Sequence, residues 1–384
     1  MNKIFKIFLL IILNLLILSL HAISKEDKIK IGLLIPMTGE NKVLGQQIIK
    51  ATRLALKDIN TNKIEIYPKD TQSNPKKTLR SAIELKQMGI DLVIGPIFYK
   101  SSLYLDEVDE ITFLSLTNKT LDLPKNVISS GINSTSQLNT IRKFIELNQI
   151  KKTIFLTPNL DYGLEIKKGI KKSNIKIFKN YIYDTDPTTL TKQIEKITNY
   201  KTRKQNLFDE IKRVENSDEN NKEIILEKLK KKYTLGDVKF DSVIVADFEE
   251  GLKSVITSLL YTDVSPQNKF IITFNQWFDE SLLKETGSQP LYYPSINKKN
   301  LEDFKSKFFD EFNQKPNHLS LLSYDLIGLI YYLSLKTDLS NINKSFKKKN
   351  SFKGKIGIFD IENNEINHRL NFYQIDKGLI KEIF

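Results

Sequence analysis

The chain of 384 residues contains no cysteine. That excludes disulfides, thiolate metal sites, a cysteine nucleophile and any lipid carried on a cysteine behind a leader. Histidine is scarce, at 3 residues, and neither His318 nor His368 sits in a metal-spaced cluster. Both read as surface residues, His318 in a turn with Pro316 and Asn317, His368 beside Arg369. No G-x-G-x-x-G or G-x-x-x-x-G-K-[ST] loop occurs, so no sequence element cradles a phosphate. The carboxylates Asp106, Glu107, Asp109 and Glu110 are adjacent along the chain and read as a solvated face rather than an acid–base pair. Catalysis, a metal and a cofactor are therefore not expected.

Long apolar runs are absent beyond the start of the chain. Residues 1–24 carry Lys3 and Lys6 and then an apolar stretch over 7–20 broken by Asn14 and Ser19. This pattern predicts a cleavable signal peptide and an exported, periplasmic protein, because the run is shorter than the roughly twenty apolar residues a membrane span needs. Lys and Arg number 59 against 46 Asp and Glu, giving a formal charge of +13. The basic residues are spread along the whole chain and Lys dominates, which argues against a nucleic-acid partner and for a solvated surface.

What is present is a repeated strand–turn–helix pattern. Ile29, Ile31, Leu33, Leu34 and Ile35 form a short run suited to a strand buried on both faces. Thr38 and Gly39 follow in a turn, and Ile48, Ala51, Leu54, Ala55 and Ile59 then recur at helical spacing. A second strand over 64–67 leads to Asn74-Pro75, an N-cap followed by proline at the first helical position. Further strands are predicted over 91–94, 112–116, 153–156, 175–183, 242–246 and 270–273. Small polar residues over 131–136 mark a crossing between two lobes. The charged stretch 199–233 reads as an inserted helical hairpin whose narrow apolar stripes include Leu207, Ile211, Leu226 and Leu229. The end of the chain reads as a β-hairpin turning at Glu362-Asn363-Asn364.

Taken in order, the blocks IGLLIPMTGENKVLGQQIIKATRLALKDI, KDTQSNPKKTLRSAIELKQMGIDLVIGPI and DYGLEIKKGIKK resemble the type I periplasmic binding proteins of the leucine/isoleucine/valine-binding group. Within it, YTLGDVKFDSVIVADF, WFDESLLKE, LSYDLIGLIYY and SFKGKIGIF look most like the branch named penicillin-binding-protein activators. The resemblance implies an α/β fold of two lobes, each a mostly parallel sheet flanked by helices. The first lobe is expected over 28–134 and 291–345, the second over 135–290 and 346–384, with the insertion at 199–233 in the second. It also implies reversible capture of an amino acid or related carboxylate between the lobes, by a monomer serving a membrane permease complex. The activator branch implies a peptidoglycan synthase as partner instead. Site residues carried over by position are Thr38, Gly39, Ser101, Ser102, Thr117 and Asn118 from the first lobe, and Tyr162 and Trp277 from the second. Tyr99 stands where amino-acid binders tend to place a carboxylate-binding serine, and Asp247 and Glu249 are the nearest acidic candidates for a ligand's ammonium group.

Overall fold

A computed structural model describes residues 28–218, 220–337 and 342–384, so the expected signal peptide lies outside the described residues. Among those described, no helix is long and apolar enough to cross a membrane.

The first sheet contains β1 (Ile29–Ile35), β2 (Ile64–Asp70), β3 (Leu92–Ile94), β4 (Thr112–Ser115) and β5 (Val127–Ser129), in the order β2-β1-β3-β4-β5. Every pair is parallel, which requires a crossover between strands and burial of both sheet faces. Helices α1 (Lys42–Ile59) and α2 (Pro75–Gln87) supply two of those crossovers. The side chain of Asn74 accepts the Lys77 N–H at 3.1 Å and so caps α2. Pro68 lies in β2, the edge strand, where a missing N–H costs no ladder bond.

The second sheet is built from β6 (Thr153–Pro158), β7 (Lys179–Tyr183), β8 (Ser242–Val245), β9 (Phe270–Thr273) and β10 (Leu291–Ser295). Two antiparallel strands near the chain end, β14 (Asn371–Asp376) and β15 (Leu379–Glu382), complete the order β15-β14-β10-β9-β8-β6-β7. Helices α3 (Ser134–Leu147), α4 (Gly163–Ser173) and α5 (Pro187–Ile197) belong to this lobe. So do α6 (Tyr200–Glu215) and α7 (Lys222–Lys230), which share a small core of Leu207, Val214 and Leu229. The buried Arg203 roots this pair, donating to the carbonyls of Gly236 at 3.1 Å and Thr262 at 3.0 Å and to Thr234 Oγ1 at 2.7 Å. The lobe is continued by α8 (Glu249–Tyr261) and the short α9 (Ser281–Lys284).

Two expected boundaries shift. Because β10 pairs with β9 and β14, the chain stays in the second lobe to Ser295 rather than leaving it at 291. It then returns through α10 (Lys298–Phe312) and α11 (His318–Ser334), whose apolar residues share one core with α1. Residues 346–384 are not all second lobe either. After α12 (Ile342–Ser345), strands β11 (Asn350–Lys353), β12 (Ile358–Glu362) and β13 (Glu365–Arg369) form a separate antiparallel sheet. Asn363 and Asn364 turn the β12–β13 hairpin with φ of 52° and 59°, the left-handed pair a two-residue loop requires.

This small sheet sits against the crossings between lobes. At the first, Asn133 Nδ2 donates to the Ile366 carbonyl at 3.0 Å, and the His368 N–H donates to Ser136 Oγ at 2.9 Å. At the second, the Asn297 N–H reaches the Ile356 carbonyl at 3.4 Å. At the third, Leu370 leads directly from β13 into β14. Asp325 on α11 holds the loop between β11 and β12, accepting the N–H of Lys355 at 2.9 Å and of Ile356 at 2.7 Å. A Cβ at Gly354 would lie 2.4 Å from Asp325 Oδ2, so any side chain there would push that carboxylate off the loop's N–H groups.

His368 is therefore no surface residue; it is 3% exposed, with Nε2 2.8 Å from the Ser130 carbonyl. Burial pulls its pKa down to about 4. The unfolded chain takes up a proton that the folded chain refuses, so this contribution to stability is intact above about pH 6.5 and is lost as pH falls toward 4. Burial pushes Asp325 up to about 7, which opposes this by favouring the fold as pH falls. Comparing the wild type with His368→Gln at each pH cancels the Asp325 contribution. Urea denaturation should show the wild type losing about 2–3 kcal/mol more than the variant between pH 6.5 and 4.5; parallel pH profiles would refute the assignment.

Candidate functional site

In open α/β sheets ligands collect beyond the carboxyl ends of the strands, and here those ends face one another across a cleft. After β4, Ser129 Oγ and the Gly131 N–H both donate to the Thr117 carbonyl, at 2.8 and 3.0 Å. A Cβ at Gly131 would come within 2.7 Å of that oxygen, so the first crossing can lie against the Thr117 loop only as glycine. Thr117 Oγ1 in turn accepts the Lys119 N–H at 3.2 Å. The Lys119 ammonium sits 3.5 Å from the centre of the Tyr99 ring, a cation–π contact.

From the opposite lobe, Tyr162 ends the turn after β6 and donates its hydroxyl to the Ala246 carbonyl at 3.1 Å. Burial and the neighbouring Asp247 raise its pKa, so the phenol stays protonated. Beyond β9 the chain makes a strained turn at Trp277 and Phe278, with φ of 49° and 60°. Left-handed geometry costs a non-glycine residue roughly 1–2 kcal/mol, and Asn275 holds the turn in place. Its N–H donates to Gln137 Oε1 at 2.7 Å, and its own Oδ1 accepts from the Trp277 N–H at 2.9 Å and from Ser295 Oγ at 2.8 Å. So placed, the Trp277 ring stacks on His318 at the start of α11, 4.5 Å centre to centre, bridging the lobes.

A second bridge is polar. Glu165 on α4 is buried, and its carboxylate accepts the N–H of Thr120 at 2.8 Å, the Thr120 hydroxyl at 2.8 Å and the N–H of Leu121 at 2.6 Å. Lys168 adds a bond to the Thr120 carbonyl at 2.9 Å. Charge-assisted bonds of this kind are the strong class.

Between these bridges lie two adjoining cavities. One, of about 410 Å³, is bounded by Lys119, Asp161, Tyr162, Glu165, Ile166 and Phe274. The other, of about 290 Å³, is bounded by Ile97, Leu116, Trp277, His318, Leu319 and Leu322. They share Tyr99, Thr117, Asn118, Gln137 and Phe248. A larger concavity of about 780 Å³ lies outside the cleft, where the exposed Asp106, Asp109, Lys125 and Lys347 face solvent.

Of the residues expected at the site, Thr117, Asn118, Tyr162 and Trp277 line these cavities. Thr38 and Gly39 do not, because Thr38 Oγ1 donates to Asp70 Oδ2 at 2.5 Å and the loop turns toward the end of β2. Ser101 and Ser102 are buried in the 3₁₀ turn Tyr99–Ser102 and also lie outside the cavity walls. Asp247 is occupied, accepting from Tyr183 at 2.5 Å and from the Phe248 N–H at 2.8 Å, and Glu249 is exposed. The residues sequence reasoning passed over are Lys119, Gln137, Glu165, Phe248 and Asn275. Glu165 and Gln137 carry a signal in hindsight, as polar residues in the first turns of helices that follow cleft loops.

The family model described as Periplasmic binding protein matches residues 28–197. No curated protein matches the chain by sequence. Among solved structures, a putative branched-chain amino acid ABC transporter protein from Rhodospirillum rubrum superposes with a TM-score of 0.71 at 12% identity, covering 93% of this chain and 100% of that one. The fold is that of the type I periplasmic binding proteins. LivJ from Streptococcus pneumoniae, solved with isoleucine, shares this binding-protein fold with a TM-score of 0.52 at 16% identity over 92% of this chain and 98% of that one. So does the C-domain of LpoA from Haemophilus influenzae, described as a regulator of PBP1A, with a TM-score of 0.64 at 14% identity over 92% of this chain and 100% of that one. A substrate-binding protein solved with isoleucine and a regulator of PBP1A are thus both among the neighbours.

Replacing Glu165 by Gln should release the Thr120–Leu121 loop, since an amide oxygen cannot satisfy three donors as a carboxylate does. A loss of about 1–3 kcal/mol is expected, with faster hydrogen exchange at the Thr120 and Leu121 amides. Unchanged exchange there would show that the bridge does not hold the loop.

Proposed function

We propose that the protein is an extracytoplasmic solute-binding protein that reversibly captures a small polar ligand, an amino acid or related carboxylate, for uptake through an ABC-type membrane permease. The observation that supports this reading is the cavity of about 410 Å³ walled by both lobes, inside the roughly 300–1,000 Å³ typical of small-molecule sites. Thr117 and Asn118 reach it from the first lobe, Tyr162 and Phe248 from the second. A ligand touching both sets of residues stabilises the closed arrangement by contacts the open one lacks. Lys119 has no ion-pair partner among the described residues and suits a carboxylate. Among those residues no acid cluster could hold a metal ion, and capture requires no covalent chemistry.

A second reading has its own support. The Glu165 bridge and the Trp277–His318 stack join the lobes through the protein's own groups. A fold held shut in this way would serve as a rigid protein-interaction scaffold for a peptidoglycan synthase.

Calorimetry of residues 25–384 against amino acids and small carboxylates separates the two. Trp277 is the sole tryptophan, and its place in the cleft makes its fluorescence a second readout. A ligand at about a hundred times its Kd should add about 2.7 kcal/mol of stability. Tyr162→Ala should weaken binding at least tenfold. A flat thermogram and unchanged Trp277 emission across the panel, with a wall synthase recovered on the protein from envelope extracts, would favour the scaffold.

A further inference from the structure

The two cavities differ in chemistry, and the difference specifies more than a free amino acid of ordinary size. The larger one holds the charges: Lys119 and Asp161 both line it, and no ion pair joins either to any described residue. A cation and an anion left unpaired in one chamber match the two ends of a zwitterion. The smaller chamber is walled chiefly by Ile97, Leu116, Leu319, Leu322 and the Trp277 ring, with no carboxylate, lysine or arginine. Asn118 and Gln137 line both cavities. Gln137 uses its Oε1 on the Asn275 N–H, and no described residue takes its Nε2. Two carboxamides on the wall common to both cavities offer the donor and acceptor that an amide group in mid-ligand would use.

We propose, resting on the solute-binding reading, that the cleft selects elongated α-amino acids. The zwitterionic head lies between Lys119 and Asp161, an amide in the side chain passes Asn118 and Gln137, and an apolar end fills the chamber under Trp277 and Leu319. A short aliphatic amino acid occupies only the charged chamber and leaves the apolar one to water.

Isothermal titration with two probes tests this: leucine, and lysine butanoylated on its side-chain nitrogen. The acylated lysine should bind at least tenfold more tightly than leucine. Leu319→Trp, which fills the apolar chamber from a half-buried position, should bring the two affinities within about twofold. Leu322→Phe should shrink the gap in the same direction, and thermal melts should show both variants folded. Lys119→Met should weaken both probes. Leucine binding as tightly as the acylated lysine, or a preference that survives both chamber-filling variants, overturns the proposal while leaving solute capture standing. Failure of the acylated lysine to bind the wild-type protein overturns the proposal, and silence of the whole amino-acid and carboxylate panel as well overturns solute capture with it.

Discussion

Three chain crossings join the lobes, and one small sheet is hydrogen-bonded to or continuous with each of them. Bonds from Asn133 and His368 secure the first crossing, the Ile356 carbonyl meets the second, and β13 runs into the third. At the first crossing the groups concerned are buried, where an unmade bond costs its full desolvation penalty of about 1–3 kcal/mol. The lobes can therefore pivot only in ways that keep these bonds, and every geometry of the cleft is set from this fixed region. Asp325 is the most exposed to risk. Its carboxylate is 2% exposed and answered by two backbone N–H groups, so its cost is met only while the Lys355–Ile356 loop stays in place.

Against that rigid base, the cleft is assembled from elements under tension. Trp277 and Phe278 occupy a backbone region that side chains avoid, and the hydrogen bonds of Asn275 hold them there. Glu165 sets a carboxylate from the second lobe on backbone N–H donors of the first. The two lobes thus have an attraction for one another that is independent of solute. Whether that attraction only biases closure or replaces the ligand is the physical difference between a transporter's receptor and a scaffold.

The parts of the fold carried by local pattern were legible. The apolar run of β1, the capped start of α2 and the turn at Asn363-Asn364 each declare themselves within a dozen residues. The lobe boundary near 291 was hidden because β10, with Tyr292, Tyr293 and Pro294, is identified by its pairing with β9 and β14, and pairing is information from distant segments. The small sheet was hidden for the same reason, and with it the burial of His368. At the site, position after a strand led to Thr117, Asn118 and Tyr162, which line the cavities. Thr38 lies off the cavity walls because Asp70, one strand over, holds its loop by hydrogen bonds, and Ser101 and Ser102 because a 3₁₀ turn buries both. Glu165 and Lys119 act through partners in the opposite lobe or through a ring nearby, which a linear reading does not register.

Helix α11 has 17 residues and spans about 26 Å. It carries the Trp277 contact at its first residue, His318, and the grip on the hinge loop two turns later, at Asp325. Mechanically it is a stiff beam clamped at both places. A sideways push on the tryptophan ring cannot be absorbed by bending over two turns of helix, so it must arrive at the hinge loop as a torque, and any twist of the hinge must in turn move the roof of the cleft.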